Sequence, residues 1–106
     1  DHSICLDDGR LWSFGNNESG QLGLGDNTNR LEPHRIEGLC GILSVSCGYH
    51  FSACVDSVGD VWCFGENSHG QLGLGHTTAQ NKPKKVPDLP PIRSVHCGYH
   101  HTLCIS

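Results

Sequence analysis

Shifted against itself by fifty residues, this chain reads nearly the same text twice. Asp8-Gly9-Arg10-Leu11-Trp12-Ser13-Phe14-Gly15 falls on Val58-Gly59-Asp60-Val61-Trp62-Cys63-Phe64-Gly65. The string GQLGLG recurs at Gly20–Gly25 and Gly70–Gly75, Pro33 falls on Pro83, and Ser44–His50 falls on Ser94–His100. The register holds without a gap over most of the repeat. A period of this length is the mark of propellers and solenoids. It constrains the fold because one such unit cannot cover its own apolar face and must stack on a neighbour.

The two ends of the chain also match each other. His2-Ser3-Ile4-Cys5-Leu6 resembles Phe51-Ser52-Ala53-Cys54-Val55 and His101-Thr102-Leu103-Cys104-Ile105. Repeat one therefore covers about residues 1–50, repeat two about 51–100, and residues 101–106 form one extra strand. Each period reads as four strands: Ile42–Ser46, His50–Val55, Asp60–Phe64 and a last one near Lys84–Val86. Turn signals at Gly48, at Asp56–Gly59 and around Pro83 separate them, and no 3.6-residue period survives anywhere. With 14 glycines in 106 residues and 17% charged residues, the composition suits strands and tight turns. The expected fold is all-β, with propeller blades of four antiparallel strands.

Two periods cannot close a ring of about four to eight blades. The expectation is a partial propeller of about two blades or one protomer of an assembled ring. Duplication of the opening strand by the closing one favours a piece of a longer chain, and Asp1 is not a natural start. Open blade edges invite self-association.

A glycine-rich phrase raises the question of a phosphate-binding loop. Here it has no strand-to-helix transition and no Gly-Lys-Ser/Thr ending, and it is present in both repeats. A structural role fits better. Gly15, Gly20, Gly23 and Gly25, with Gly65, Gly70, Gly73 and Gly75, permit backbone conformations that a Cβ hinders. Leu22, Leu24, Leu72 and Leu74 anchor the loops to the blades. Asn17 and Gln21, with Asn67 and Gln71, tie the loops down through hydrogen bonds to backbone. Trp12, Phe14, Trp62 and Phe64 are the large residues expected to pack between blades, each pair on one face of its strand by i, i+2 spacing.

Chemistry is sparse. Cys47-Gly48-Tyr49-His50 and Cys97-Gly98-Tyr99-His100 have the look of zinc half-sites, with Cys54 and Cys104 nearby, but each lacks a fourth ligand. His50, His100 and His101 have no nucleophile or carboxylate fixed beside them, so no catalytic site and no cofactor is expected. Tyr49, His50, Tyr99, His100 and His101 are instead the candidate partner-facing turns. Seven cysteines, an odd number, argue for thiols and an intracellular setting, cytoplasmic or nuclear, rather than a disulfide framework. In that setting the Asn17-Glu18-Ser19 glycosylation pattern has no meaning. No apolar run of about 18 residues spans a membrane. A net charge of −4 with no basic surface beyond Lys82, Lys84 and Lys85 argues against nucleic acid.

The phrase from Gly9 to Gly25, and again from Gly59 to Gly75, resembles the regulator-of-chromosome-condensation repeat. That family runs Asp-Gly, β residue, aromatic, any, aromatic, Gly, then Asn and Gly-Gln-Leu-Gly-Leu-Gly. It continues to a proline, a Val-x-x-Val segment, Gly, and a His leading into the closing strand, as His50 and His100 do here. The resemblance implies a seven-bladed β-propeller that acts as a protein-interaction scaffold in a regulatory protein. A second reading is guanine-nucleotide exchange on a Ran-type small GTPase, for which no exchange residues carry over. Light-sensing members of the family place a tryptophan at this turn, where this chain has Tyr49 and Tyr99.

Overall fold

The computed structural model describes residues 1–106 and contains nine strands. They are β1 (His2–Asp7), β2 (Arg10–Gly15), β3 (Arg30–Arg35), β4 (Ile42–Cys47), β5 (Phe51–Asp56), β6 (Val61–Gly65), β7 (Gln80–Lys85), β8 (Ser94–Cys97) and β9 (Thr102–Ile105). They form three antiparallel sheets, ordered β1-β2-β3, β4-β5-β6-β7 and β8-β9. No helix is long and apolar enough to cross a membrane.

One sheet is a complete four-stranded blade. It runs from Ile42 to Lys85 and so draws strands from both sequence repeats. The textual period and the structural unit share a length but differ in phase, because a repeat can be cut at any point without changing its period. The full blade is flanked by three strands of a preceding blade and two of a following one.

Local chemistry explains the strand ends. Asp8 and Gly9, both at positive φ (51° and 75°), make the two-residue turn between β1 and β2. At the equivalent corner after β5, the Asp56 carboxylate accepts hydrogen bonds from the Val58 and Asp60 backbone N–H groups and from Trp62 Nε1. Burial pushes the Asp56 carboxyl up, but these donors prevail and hold it below the ordinary value. The outer strand of the blade begins earlier than the Lys84–Val86 stretch expected from sequence. Its pairing with β6 jumps from Cys63↔Lys84 to Gly65↔Gln80, and the irregular stretch takes in Pro83. Pro33 occupies the same irregular stretch of β3. An edge-strand irregularity is where a residue without an N–H can stay in a sheet.

Two apolar layers hold the sheets face to face. Leu11, Ile36, Leu39 and Ile42 meet Cys54 and Phe64 between the first and second sheets. Phe51, Ala53, Val55, Val61, Cys63 and Leu72 meet Ile92 and Val95 between the second and third. The alternation of β5 and β6 divides their side chains between these layers: Cys54 and Phe64 one way, Ala53, Val55, Val61 and Cys63 the other. Burying a side chain such as Phe64 stabilises the stack by roughly 1.5–3 kcal/mol.

The same alternation decides which of the four aromatics expected between blades meet a neighbouring sheet within these residues. Phe64 is fully buried and Trp62 packs beside it, both toward the first sheet. In β2 it is Leu11 and Ser13 that are buried toward the second sheet. Trp12 and the half-buried Phe14 take the far side, and Trp12 is 38% exposed.

Candidate functional site

All strands of a blade hand their odd-numbered connections to the same end. Gly65 pairs with Phe51, so the loop after β6 leaves the sheet beside the turn before β5, and the Glu66 N–H donates to the His50 carbonyl (2.9 Å). In the first sheet the Asn16 N–H donates to the Asp1 carbonyl in the same way. One end of the stack is therefore built from the turns at 48–50 and 98–101 and the glycine loops at 16–29 and 66–79.

The glycine loops are rigid because one asparagine organises each. Asn17 Nδ2 donates to the Asp26 and Thr28 carbonyls, while its Oδ1 accepts the Leu22 N–H. Asn67 repeats the pattern with the His76 and Thr78 carbonyls and the Leu72 N–H. Gln21 and Gln71 close their loops by accepting the Ser19 and His69 N–H groups. Each loop is then stitched to the next sheet: Ser52 Oγ donates to the Gln21 carbonyl and Thr102 Oγ1 to the Gln71 carbonyl, both at 2.8 Å. Leu22 and Leu72 are buried beneath the loops, while Leu24 and Leu74 lie half-buried at their margins. Asp26 sits at the rim of the first loop. The Thr28 N–H, then the Arg30 guanidinium, hold its carboxyl below the ordinary value against a small burial penalty.

The tyrosine turns meet on this platform. Rings of Tyr49 and Tyr99 stack with centroids 4.1 Å apart and planes at 24°, and the Tyr49 N–H reaches the Tyr99 carbonyl at 3.4 Å. His50 lies 3.9 Å from Tyr49, and His100 lies edge-on to Tyr99 at 4.6 Å. A hydrogen bond to Tyr49, then burial and the neighbouring Tyr49 and Glu66 charges, raise the Tyr99 phenol. Gly48 makes the geometry possible, since a Cβ there would stand 2.1 Å from the Phe51 ring. Gly98 stands in the same relation to His101, whose ring folds back over the turn rather than joining the tyrosine stack.

Two further residues join this cluster that the sequence motif did not single out. His69 stacks on His100 at 4.2 Å, and Glu66 Oε1 lies 4.0 Å from His100 Nδ1, beyond hydrogen-bond length. Both come from the start of the second glycine loop. Strand counting alone, which puts that loop and the turn at one end, is the signal that could have found them. In both His50 and His100, Nδ1 is removed from solvent and has no hydrogen-bond partner, an arrangement that costs roughly 1–3 kcal/mol. Beside the cluster, a cleft of about 420 Å³ opens between the second glycine loop and the third sheet, with Val61, Leu72, Val86, His100 and Cys104 on its walls.

The suspected zinc half-sites do not converge. No three His, Cys, Asp or Glu side chains are placed to hold a metal ion. The repeat puts Cys47 and Cys97 at the ends of separate inner strands, where Cys97 Sγ donates to the Ser46 carbonyl. Burial pushes Cys97 up to about 11 and Cys54 up to about 12, as it does to thiols packed as small apolar groups. All seven cysteines are free.

Antiparallel sheets stacked face to face, repeated at a fifty-residue period and tied by glycine loops, define a segment of a β-propeller. The family model described as the regulator of chromosome condensation (RCC1) repeat matches residues 8–55 and 58–105, and a second of the same description matches residues 42–71. The chain belongs to this family.

Among characterised proteins it is similar to human Protein RCC2, 45% identical over 62 residues, which cover 55% of this chain and 12% of that protein. It is also similar to the X-linked retinitis pigmentosa GTPase regulator homolog of Caenorhabditis elegans, 48% identical over 48 residues, 42% of this chain and 3% of that one. A third relative is the human probable E3 ubiquitin-protein ligase HERC6, 36% identical over 59 residues, 54% of this chain and 6% of that one. In structure the chain superposes over its whole length on 29% of Prp20p from Saccharomyces cerevisiae (TM-score 0.86, 25% identity), a protein described with its binding to Gsp1p and histones. It superposes over 92% of its length on 27% of human WBSCR16 (TM-score 0.80, 29% identity). The chain thus spans about a tenth or less of these curated relatives and under a third of the solved structures.

Proposed function

We propose that this segment is a non-catalytic protein-interaction module of a regulatory propeller protein, and that it meets its partner through the end carrying Tyr49, His50, Tyr99 and His100. The observation that carries this is the tyrosine stack. Two large rings from successive repeats, 40% and 58% exposed, sit on loops fixed by buried asparagines. Rigid exposed aromatics on a preformed platform are what binding surfaces use, because they add contact area at little cost in side-chain entropy. Seven free thiols, four of them exposed, support a reducing, intracellular setting.

A photo-reactive phenylalanine analogue at position 99, compared with one at Val58 on the opposite end, tests the reading in cell extract. Cross-links to a defined protein from position 99 alone are expected. Cross-links from position 58 alone, or from neither, would refute it.

The second reading is nucleotide exchange on a small GTPase. It is supported by the named relatives, one of them a GTPase regulator homolog and another described with its binding to Gsp1p. Release of labelled GDP from a Ran-type GTPase, accelerated by the chain or by a longer protein containing it, would favour this reading. An unchanged release rate would remove it.

A further inference from the structure

The molecule keeps its cations outside the segments that build the tyrosine end, with Lys82 reaching only the Gly25 margin of the first glycine loop. Its seven Lys and Arg residues are Arg10, Arg30, Arg35, Lys82, Lys84, Lys85 and Arg93. None belongs to the turns at 48–50 and 98–101 or to the glycine loops at 16–29 and 66–79. Those segments contain Glu18, Asp26 and Glu66 instead. Arg30, the nearest cation in sequence, is bound to Asp26 at the outer rim. Glu66 has no such cation. It lies beside the tyrosine turn, 4.0 Å from Nδ1 of the His100 ring that packs edge-on to Tyr99, and its other neighbour is the neutral Gln71 amide at 3.5 Å.

Part-exposed tyrosine rings with a carboxylate close by and no Lys or Arg paired to it have a definite chemical complement. The face of a tyrosine attracts a cation, and a planar guanidinium lies flat on the ring while its N–H groups reach a carboxylate at the edge. A lysine ammonium gains only the point-charge part. An acidic ligand meets repulsion from Glu66 with no cation to offset it. An apolar ligand would bury the Glu66 charge without a counter-charge, which is costly once water is excluded.

We infer that the Tyr49–Tyr99 stack with Glu66 is a docking site for an arginine-presenting, basic segment of the protein partner. This rests on the proposal that the same end is the partner surface, and it adds the partner's chemistry.

Binding of labelled Gly-Arg-Gly-Arg-Gly to the full chain, followed by fluorescence anisotropy at low and physiological salt, tests the inference. The controls are the lysine and glutamate versions of the peptide. The arginine peptide is expected to bind measurably, the lysine peptide several-fold more weakly, and the glutamate peptide not at all. Tyr99→Leu and Tyr49→Leu should each weaken the arginine peptide by about 2–5-fold. Glu66→Gln should weaken it further and flatten its salt dependence. Far-UV circular dichroism and a thermal melt keep folding separate from binding, since Tyr99 and Glu66 lie at the surface.

Equal binding of the arginine and lysine peptides, insensitivity to Tyr99→Leu, or no binding at all would overturn the inference. Failure of this inference is distinguishable from failure of the interaction reading. A partner cross-linked from position 99 that the arginine peptide does not displace would sink the arginine specificity and leave the face intact. Loss of the cross-link itself would sink both.

Discussion

The loops Gly20–Gly25 and Gly70–Gly75 have one sequence and one backbone, yet only the first is covered. Their glycines take matching positive φ angles, 80° and 71° at the first, 70° and 69° at the second, 91° and 85° at the third. Their asparagines make matching bonds. What differs is the neighbour. A Cβ on Gly23 would strike the Phe64 ring at 2.8 Å, while on Gly73 it would meet only Val86 at 3.4 Å. A Cβ on Gly20 would strike the Asn81 backbone at 2.6 Å, while on Gly70 it would meet nothing. Loop conformation is thus set inside each repeat, and burial is set by the repeat that follows.

The largest effect that separates the two regions is expected at the aromatic ridge. Phe64→Ala should cost about 3–5 kcal/mol, because the ring is fully buried between sheets. Phe14→Ala, on the outer side of the first sheet, should cost less than half as much. Urea denaturation of both variants checks this, and equal losses would mean that the first sheet's outer side is covered in solution.

Gly20→Ala and Gly70→Ala form the next pair. Both carry the strain of positive φ, about 1 kcal/mol. Only Gly20→Ala must also push back the Asn81 backbone, which adds roughly 1–3 kcal/mol. Equal midpoints in the same assay would break the comparison.

Asn17→Ala and Asn67→Ala should behave alike, each losing about 1–3 kcal/mol as buried N–H and carbonyl partners are stranded. A several-fold asymmetry would show that loop anchoring depends on the neighbour after all.

The smallest effect is a pH dependence present in one repeat and absent from the other. His2 occupies the position that Phe51 holds in the second repeat, and its Nε2 lies 2.9 Å from Ser52 Oγ. Burial, then the nearby terminal amine and His50, lower it from the usual 6.5 to about 4. The unfolded chain therefore takes up this proton first as pH falls. The stability contribution is complete above about pH 6.5, is lost between 6.5 and 4, and is constant below. Solvent screening reduces it to on the order of 1 kcal/mol. His2→Phe should flatten stability over that window, and an unaltered profile would assign the effect elsewhere.

Much of this was legible in the sequence. Short apolar segments between the turn signals at Gly48 and Asp56–Gly59 marked the strands, and the doubled GQLGLG phrase marked a structural loop. The four strands from Ile42 to Lys85 were legible as one unit, whereas cutting the text at residues 1–50 and 51–100 splits that blade, because a periodic text has no intrinsic starting point. The exposure of Trp12 was not legible: i, i+2 spacing says that Trp12 and Phe14 share a face but not which neighbour that face meets. At the site, Tyr49 and Tyr99 stood out by recurrence. Glu66 and His69 did not, since their counterparts Asn16 and Ser19 are different residues and only strand counting brings them to the tyrosines.

The packing of Phe64 on Gly23 also has a direction. A blade offers bulky rings on one broad side and bare glycine backbone on the other, so the two sides are plug and socket. Two plugs cannot mate, and neither can two sockets. Association through these sides is therefore never two-fold symmetric. It is head to tail, so whatever joins this segment there extends the stack in one direction and with one sense of rotation.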